Sequence, residues 1–312
     1  MNIKYPDVRR ALTISREDYI IMQQSFISSP NEKSEYVYSV RPSYQYSFIE
    51  YDGVTYIPLP HLLTKNITTS FLYRLTENKN NGLRQKIGKY NLEAYLLNIV
   101  QGAKVYDEVS GELEYTGHNR SQSKSPDVIA RYGNSVLFLD SKSTAPSAKM
   151  RLIDLDAFAN SIDIVSGYIV QLHNQIRQFD KYNPFRRDIS YNADCFWGAV
   201  VVLEDSYVMR KQYYDDARKK LGLQEDSAEW KWLVLHIKVL DLYTVERACY
   251  TSMNLITAME KASESGSYGD YSILNYIDMA TEFTDGGINN FRDRVKKDMA
   301  DLAADMHEKK LI

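Results

Sequence analysis

The sequence predicts a mixed α/β (α+β) fold, a central mixed sheet flanked by helices, and three stretches predict it. Leu92, Leu96, Ile99 and Val100 form an apolar stripe at helical spacing over 88–100. Val128 to Tyr132 and Val136 to Leu139 are short apolar runs on either side of Gly133-Asn134, residues that tolerate positive φ, so 128–139 reads as a β-hairpin. Ile164, Val165, Tyr168, Ile169, Leu172, Ile176 and Phe179 then recur at helical spacing. They precede Ala199-Val200-Val201-Val202-Leu203, a continuous apolar run of the kind that fills a central strand.

From the N-terminus, Ser15 with the acids of Glu17-Asp18 caps a helix carrying Tyr19, Ile20, Met22 and Phe26, which Ser28-Ser29-Pro30-Asn31 ends. Tyr36 to Leu59 is rich in strand formers, and Asp52-Gly53 marks a second hairpin. A helix is expected from His61 to Leu75, and the polar run Glu77 to Gly82 is the best boundary. Lys104 to Tyr115 reads as a strand pair turning at Ser110-Gly111, and Thr116 to Lys124 as a polar, basic loop. Met150 to Phe158 is expected to be helical ahead of the crossover helix, and Tyr182 to Asp194, with Arg186 and Arg187, to connect it to the apolar run. Glu204 to Gly222 reads as helical and charged, and Trp232 to Ile237 as a further strand. Asp241 caps a helix whose stripe is Val245, Ala248, Met253, Ile256 and Met259. Lys261 to Asp270 is a Ser/Gly-rich linker. Two closing helices, on Ile273 to Met279 and Phe291 to Met306, flank Gly286-Gly287, and the last could form a dimer seam. The expected domains are 1–82, a helix with a hairpin; 83–262, the core; and 263–312, a helical extension.

Composition narrows the class. Hydrophobic content of 44% and charged content of 25% suit a globular chain, and no apolar run approaches the ~20 residues of a membrane span. The start lacks the apolar core of a secretory signal, so a cytoplasmic protein without membrane association is expected. Cys195 and Cys249 are too few for a disulfide framework and read as buried thiols. The five histidines show no close metal-ligand spacing, which argues against a zinc hydrolase. The net charge is −3, yet between His118 and Arg151 the basic residues are Arg120, Lys124, Arg131, Lys142, Lys149 and Arg151, against only Asp127 and Asp140. Such a basic rim suits a polyanion held by its phosphates, and it equally suits ordinary solvated loop charges. The 25 tyrosines are spread along the whole chain, and none is singled out as a base-stacking platform.

The acids of the second hairpin stand at strand edges. Asp127 opens the first strand and Asp140 closes the next, with Lys142 two residues on and therefore on the same face. The returning hairpin brings Asp127 beside them. Two converging carboxylates repel unless a cation neutralises them, and hard oxygen ligands suit Mg²⁺ or Mn²⁺. Read alone, the pattern also fits a polar hairpin with a surface ion pair.

Pro126-Asp127 followed by Asp140-Ser141-Lys142 resembles the PD-(D/E)xK nuclease superfamily, and the resemblance covers at most about residues 84 to 250. It implies a restriction-endonuclease-like core and a Mg²⁺-dependent phosphodiester hydrolase, most often an endonuclease of DNA, less often of RNA, in restriction, repair or anti-phage defence. It implies that Asp127, Asp140, the carbonyl of Ser141 and Glu93 ligate the metal, with Glu108 or Glu114 as replacements for Glu93, and that Lys142 positions the attacking water. It further implies that Gln171 or Gln175 faces the site, while the basic loop beside the hairpin makes Lys124 and Arg120 candidate substrate contacts. Such nucleases often act as homodimers or in larger complexes. Two alternatives stay open: an inactive nuclease-fold protein serving as a nucleic-acid-binding or assembly module, and an unrelated α/β protein in which the hairpin is structural.

Overall fold

The computed structural model describes residues 9–10, 12–28, 46–59, 88–117, 122–144, 146, 150, 155–182, 193–204, 208–264 and 270–280. Described residues up to Leu59, together with those of Pro146–Phe158, group as one unit, and the remainder as a second. In the first, the Ser15 hydroxyl accepts from the Asp18 N–H at 3.0 Å, the cap that starts α1 (Arg16–Ser28). Strand β1 (Thr13–Ser15) runs parallel to β2 (Phe48–Tyr51). The chain then turns through Asp52-Gly53, at φ 50° and 71°, into antiparallel β3 (Val54–Tyr56). Positive φ at both central residues is the hairpin turn whose twist matches the strands, as the Asp-Gly pair predicts. The expected helix over His61 to Leu75 and the boundary after it lie outside the described residues.

In the second unit a π-helical turn, Gly88–Glu93, leads into α2 (Ala94–Ala103), which buries Leu96, Ile99 and Val100 as the stripe predicts. Next come β4 (Glu108–Gly111), β5 (Glu114–Thr116), β6 (Gln122–Lys124), β7 (Val128–Tyr132) and β8 (Ser135–Lys142). Helix α3 (Leu155–Tyr182) leads to β9 (Phe196–Val202). Then α4 (Arg210–Leu221), α5 (Ala228–His236), β10 (Ile237–Asp241), α6 (Leu242–Tyr250), α7 (Leu255–Glu264) and α8 (Asp270–Ala280) follow. The main sheet has the order β10-β9-β8-β7-β4. The β4/β7 and β7/β8 pairs are antiparallel, and the β8/β9 and β9/β10 pairs parallel.

Alternation divides the sheet cleanly. Leu137 and Leu139, with Ala199, Val201 and Leu240, pack against α2, α6, α7 and α8; Ile273 and Ile277 of α8 join this same core. The other face carries Phe138, edge to face with Phe179 of α3 at 4.9 Å and with Phe196 at 5.7 Å. Because both faces are covered, β8 and β9 are buried along nearly their whole lengths, which explains their continuous apolar runs. At Gly198 a β-carbon would stand 2.8 Å from Ile176 Cδ1 and 3.1 Å from Leu172 Cδ2, both on the fully buried stripe of α3. Gly198→Ala is therefore expected to cost about 1–3 kcal/mol of overpacking, read as a lower urea midpoint.

Several expectations are corrected. Ser110-Gly111 is no turn: β4 continues through it and pairs with β7, while β5 pairs with β6, so the basic stretch expected to be a loop contributes the strand Gln122–Lys124. Edge pairing to a distant strand overrides the local Ser-Gly signal. The stretch Trp232 to His236 is helical, and the strand begins only at Ile237. Short apolar runs are ambiguous by periodicity, and here Ser227 accepts from the Trp230 N–H at 3.2 Å and starts a helix. Of the helix expected over Met150 to Phe158, Met150 is helical and Leu155 to Phe158 is continuous with the crossover helix, while 151–154 lie outside the described residues. In the charged stretch after β9 the described helix is Arg210–Leu221, ending at Gly222 with φ 65°. The stripe from Val245 to Met259 spans two helices, broken where Ser252 takes φ 54°. Helix α7 continues to Glu264, into the expected linker. Cys249 is buried and Cys195 half-buried. The connector residues Arg186 and Arg187 and the last expected helix lie outside the described residues.

Candidate functional site

The hairpin of β7 and β8 closes through Gly133-Asn134 with Tyr132 opposite Ser135. Only Gly133, the first central residue, has positive φ (56°), as a type II′ turn requires. This register places Val128 opposite Leu139, so the next residues out, Asp127 and Asp140, oppose each other at the strand ends. Asp127 accepts from the Ser141 N–H at 2.7 Å and from its hydroxyl at 2.6 Å, which fixes one carboxylate oxygen.

Asp140 is the acid in an otherwise apolar buried run and is only 3% exposed. Its Oδ2 is ion-paired with Lys142 Nζ at 2.7 Å. Burial pushes its carboxyl up to about 6, and the charges of Asp127 and Glu112 add to the rise, while Lys142 opposes it. Lys142 in turn meets α3: Gln171 Oε1 accepts from its ammonium at 3.4 Å, and the Tyr168 ring centroid lies 5.1 Å away. Tyr168 is tied at 3.0 Å to Thr144, just past the end of β8. Gln175, one turn along α3 from Gln171, has a buried amide oxygen without a hydrogen-bond partner. His173 points elsewhere, 2.6 Å from Glu229, which also receives Arg177 at 2.8 and 2.9 Å.

The structure thus brings together Asp127, Asp140, Ser141, Lys142 and Gln171. Glu93 ends a π-turn that passes the end of β8, with Gly88 against Ser143, and is followed by a helix packed on the Leu137/Leu139 face, whereas Asp140 and Lys142 project from the Phe138 face. Glu108 pairs with Arg131 toward the turn end of the hairpin, away from Asp127, and Glu114 lies 3.5 Å from Lys124. Lys124 is exposed and bonded to Glu112 at 2.6 Å. Arg120, Lys149 and Arg151 lie outside the described residues, so the basic rim is described only at Lys124, Arg131 and Lys142.

Sequence reasoning missed Tyr168, which sits three residues before Gln171 on one helical face, a spacing visible in the sequence. Among the described residues no group of three or more His, Cys, Asp or Glu is assembled closely enough to hold a metal ion. The two carboxylates do fit a divalent cation: they are opposed like charges of the hard-oxygen type, and the buried one is held above its ordinary range by burial, with the charge of the other adding to the rise. No described helix is long and apolar enough to cross a membrane. Comparison with protein-family models, with curated proteins and with solved structures finds no match to this chain.

Proposed function

We propose that this protein is a metal-dependent nuclease that hydrolyses phosphodiester bonds within nucleic acid, DNA in preference to RNA. The observation that carries the reading is the opposed pair Asp127 and Asp140 at the strand ends of the β7/β8 hairpin, with Lys142 2.7 Å from the buried acid. The order of elements supports it: a helix, three antiparallel strands, a crossover helix and a parallel strand, as the restriction-endonuclease-like core implies. Asp127, Asp140 and the Ser141 carbonyl would hold Mg²⁺ or Mn²⁺, with Asp140 losing the proton that burial favours. Such an ion supplies a water of lowered pKa and neutralises phosphate charge. Lys142, braced by Asp140, Gln171 and Tyr168, presents its ammonium to the attacking water or a phosphate oxygen.

A second reading, a nuclease-fold module that binds nucleic acid without cutting it, is favoured by the lack of a third assembled carboxylate among the described residues. One experiment separates them. Supercoiled, linear and single-stranded DNA and RNA are incubated with Mn²⁺, with and without EDTA, using wild type and Lys142→Ala. The nuclease reading expects metal-dependent cleavage that falls roughly 10²- to 10⁴-fold in Lys142→Ala, the usual range for a positioned proton-transfer group. Binding to DNA with no cleavage on any substrate would establish the module instead.

A further inference from the structure

The register of the N-terminal sheet sorts its side chains onto two faces. Ile14 of β1 pairs with Ile49 of β2, and Ile49 with Tyr56 of β3, so the three form one cross-strand row. Tyr51 and Val54 form the next row on the same face, and the parallel β1/β2 register continued by two residues puts Arg16 at its other end. The Arg16 guanidinium does lie over the Tyr51 ring, 4.8 Å from its centroid. The face opens toward β3: Ile14 is buried, whereas Tyr51, Val54 and Tyr56 are 47%, 50% and 50% exposed. Tyr51 and Tyr56 are diagonal neighbours, roughly 7 Å apart as such pairs in a β-ladder are. The opposite face holds the charge pairing. There Arg9 donates to Thr55 Oγ1 at 2.9 Å and lies 3.7 Å from Glu50, and Glu17 and Asp52 group with them around an open cleft. Among the described residues no carboxylate pairs with Arg16.

We infer that this face is a binding platform for single-stranded nucleic acid, with bases stacked against Tyr51 and Tyr56 and Arg16 pairing with a backbone phosphate. Every base offers a π-face to a tyrosine ring, and an unpaired strand leaves that face accessible. The Arg16 guanidinium, stacked and without an acid, keeps its N–H donors for a phosphate. A protein partner fits less well: the exposed parts of the three side chains come to on the order of 300 Å², below the ~800 Å² per partner of a stable interface. The platform goes beyond the nuclease reading and does not depend on it, since it uses no metal and belongs to the other structural unit.

Fluorescence anisotropy of a labelled deoxythymidine oligomer of about ten nucleotides, with the full chain in EDTA, tests this. The wild type is expected to bind, and Tyr51→Ala and Tyr56→Ala each to weaken binding roughly tenfold. Tyr51→Phe and Tyr56→Phe should keep it, because stacking needs the ring and not the hydroxyl. Arg16→Gln should weaken binding and lower the slope of log affinity against log salt by about 0.7, the share of one single-strand phosphate contact. All three side chains are exposed, so the substitutions leave the fold intact. No binding by the wild type overturns the proposal, as does wild-type affinity in both alanine variants. An equal loss in the phenylalanine variants overturns stacking, and an equal loss on a DNA duplex, whose bases are already stacked, overturns single-strand recognition. Self-association that the alanine variants abolish, without nucleic-acid binding, overturns the platform in favour of a contact between copies. The expected pattern without cleavage under Mn²⁺ supports the platform and overturns only the nuclease reading.

Discussion

Asp140→Asn is expected to abolish cleavage while making the protein more stable near neutral pH. Asparagine keeps the shape of the protonated acid but cannot balance a divalent cation, so cleavage should fall roughly a thousandfold, the few kcal/mol that such electrostatic stabilisation supplies. Stability moves the other way. The folded carboxyl is raised to about 6, chiefly by burial, from an ordinary value of about 4. Below about pH 4 the acid is protonated in both states. Between about 4 and 6 the folded chain keeps a proton that the unfolded chain has lost, so wild-type stability declines as pH rises. Above about 6 both are ionised, and the wild type carries the whole cost, about 3 kcal/mol. The variant escapes it. Urea unfolding at pH 4 and pH 8 should show near-equal stabilities at the first and a more stable variant at the second. A less stable variant at pH 8 would sink the buried-charge account, and full cleavage activity would sink the catalytic assignment. Mn²⁺ should raise the melting temperature of the wild type but not of the variant.

Phe138→Ala is expected to be the most destabilising single truncation in the strand that carries the site. Phe138 is fully buried against Phe179 of α3 and Phe196 of β9. Deleting the ring removes two edge-to-face contacts and leaves a cavity between the central strand and α3. The expected cost is about 3–5 kcal/mol, or roughly 10 °C in melting temperature for a unit of this size. Because α3 also carries Tyr168 and Gln171, relaxation into the cavity should disturb Lys142. Cleavage measured well below the melting temperature should therefore fall as well. A loss below about 1 kcal/mol would show that this face is not close-packed.

Much of the site was legible because its signals are local. A two-residue hairpin turn sets register, register sets which acid opposes which, and period-2 alternation puts Asp140 and Lys142 together. Those steps need no knowledge of distant chain. The α2 stripe shows the limit: it was read correctly, but a stripe cannot say which face of the sheet it will cover. The Trp232 to His236 run failed for a related reason, since a short apolar run fits a strand or a helix until a cap and its neighbours decide. The Ser110-Gly111 turn failed because pairing with β7 outweighed a weak local preference.

By itself the sequence determined the two hairpins, the buried stripes of α2 and α3, the central β9 strand and the pairing of Asp140 with Lys142. All of these follow from periodicities of 2 or 3.6 and from turn residues within a few positions. Tertiary structure alone decided the strand order, the burial that raises Asp140, and the seat that Tyr168 and Gln171 make for Lys142. Each depends on segments up to about 60 residues apart meeting across the sheet, and local propensity carries no information about which distant segments will pair.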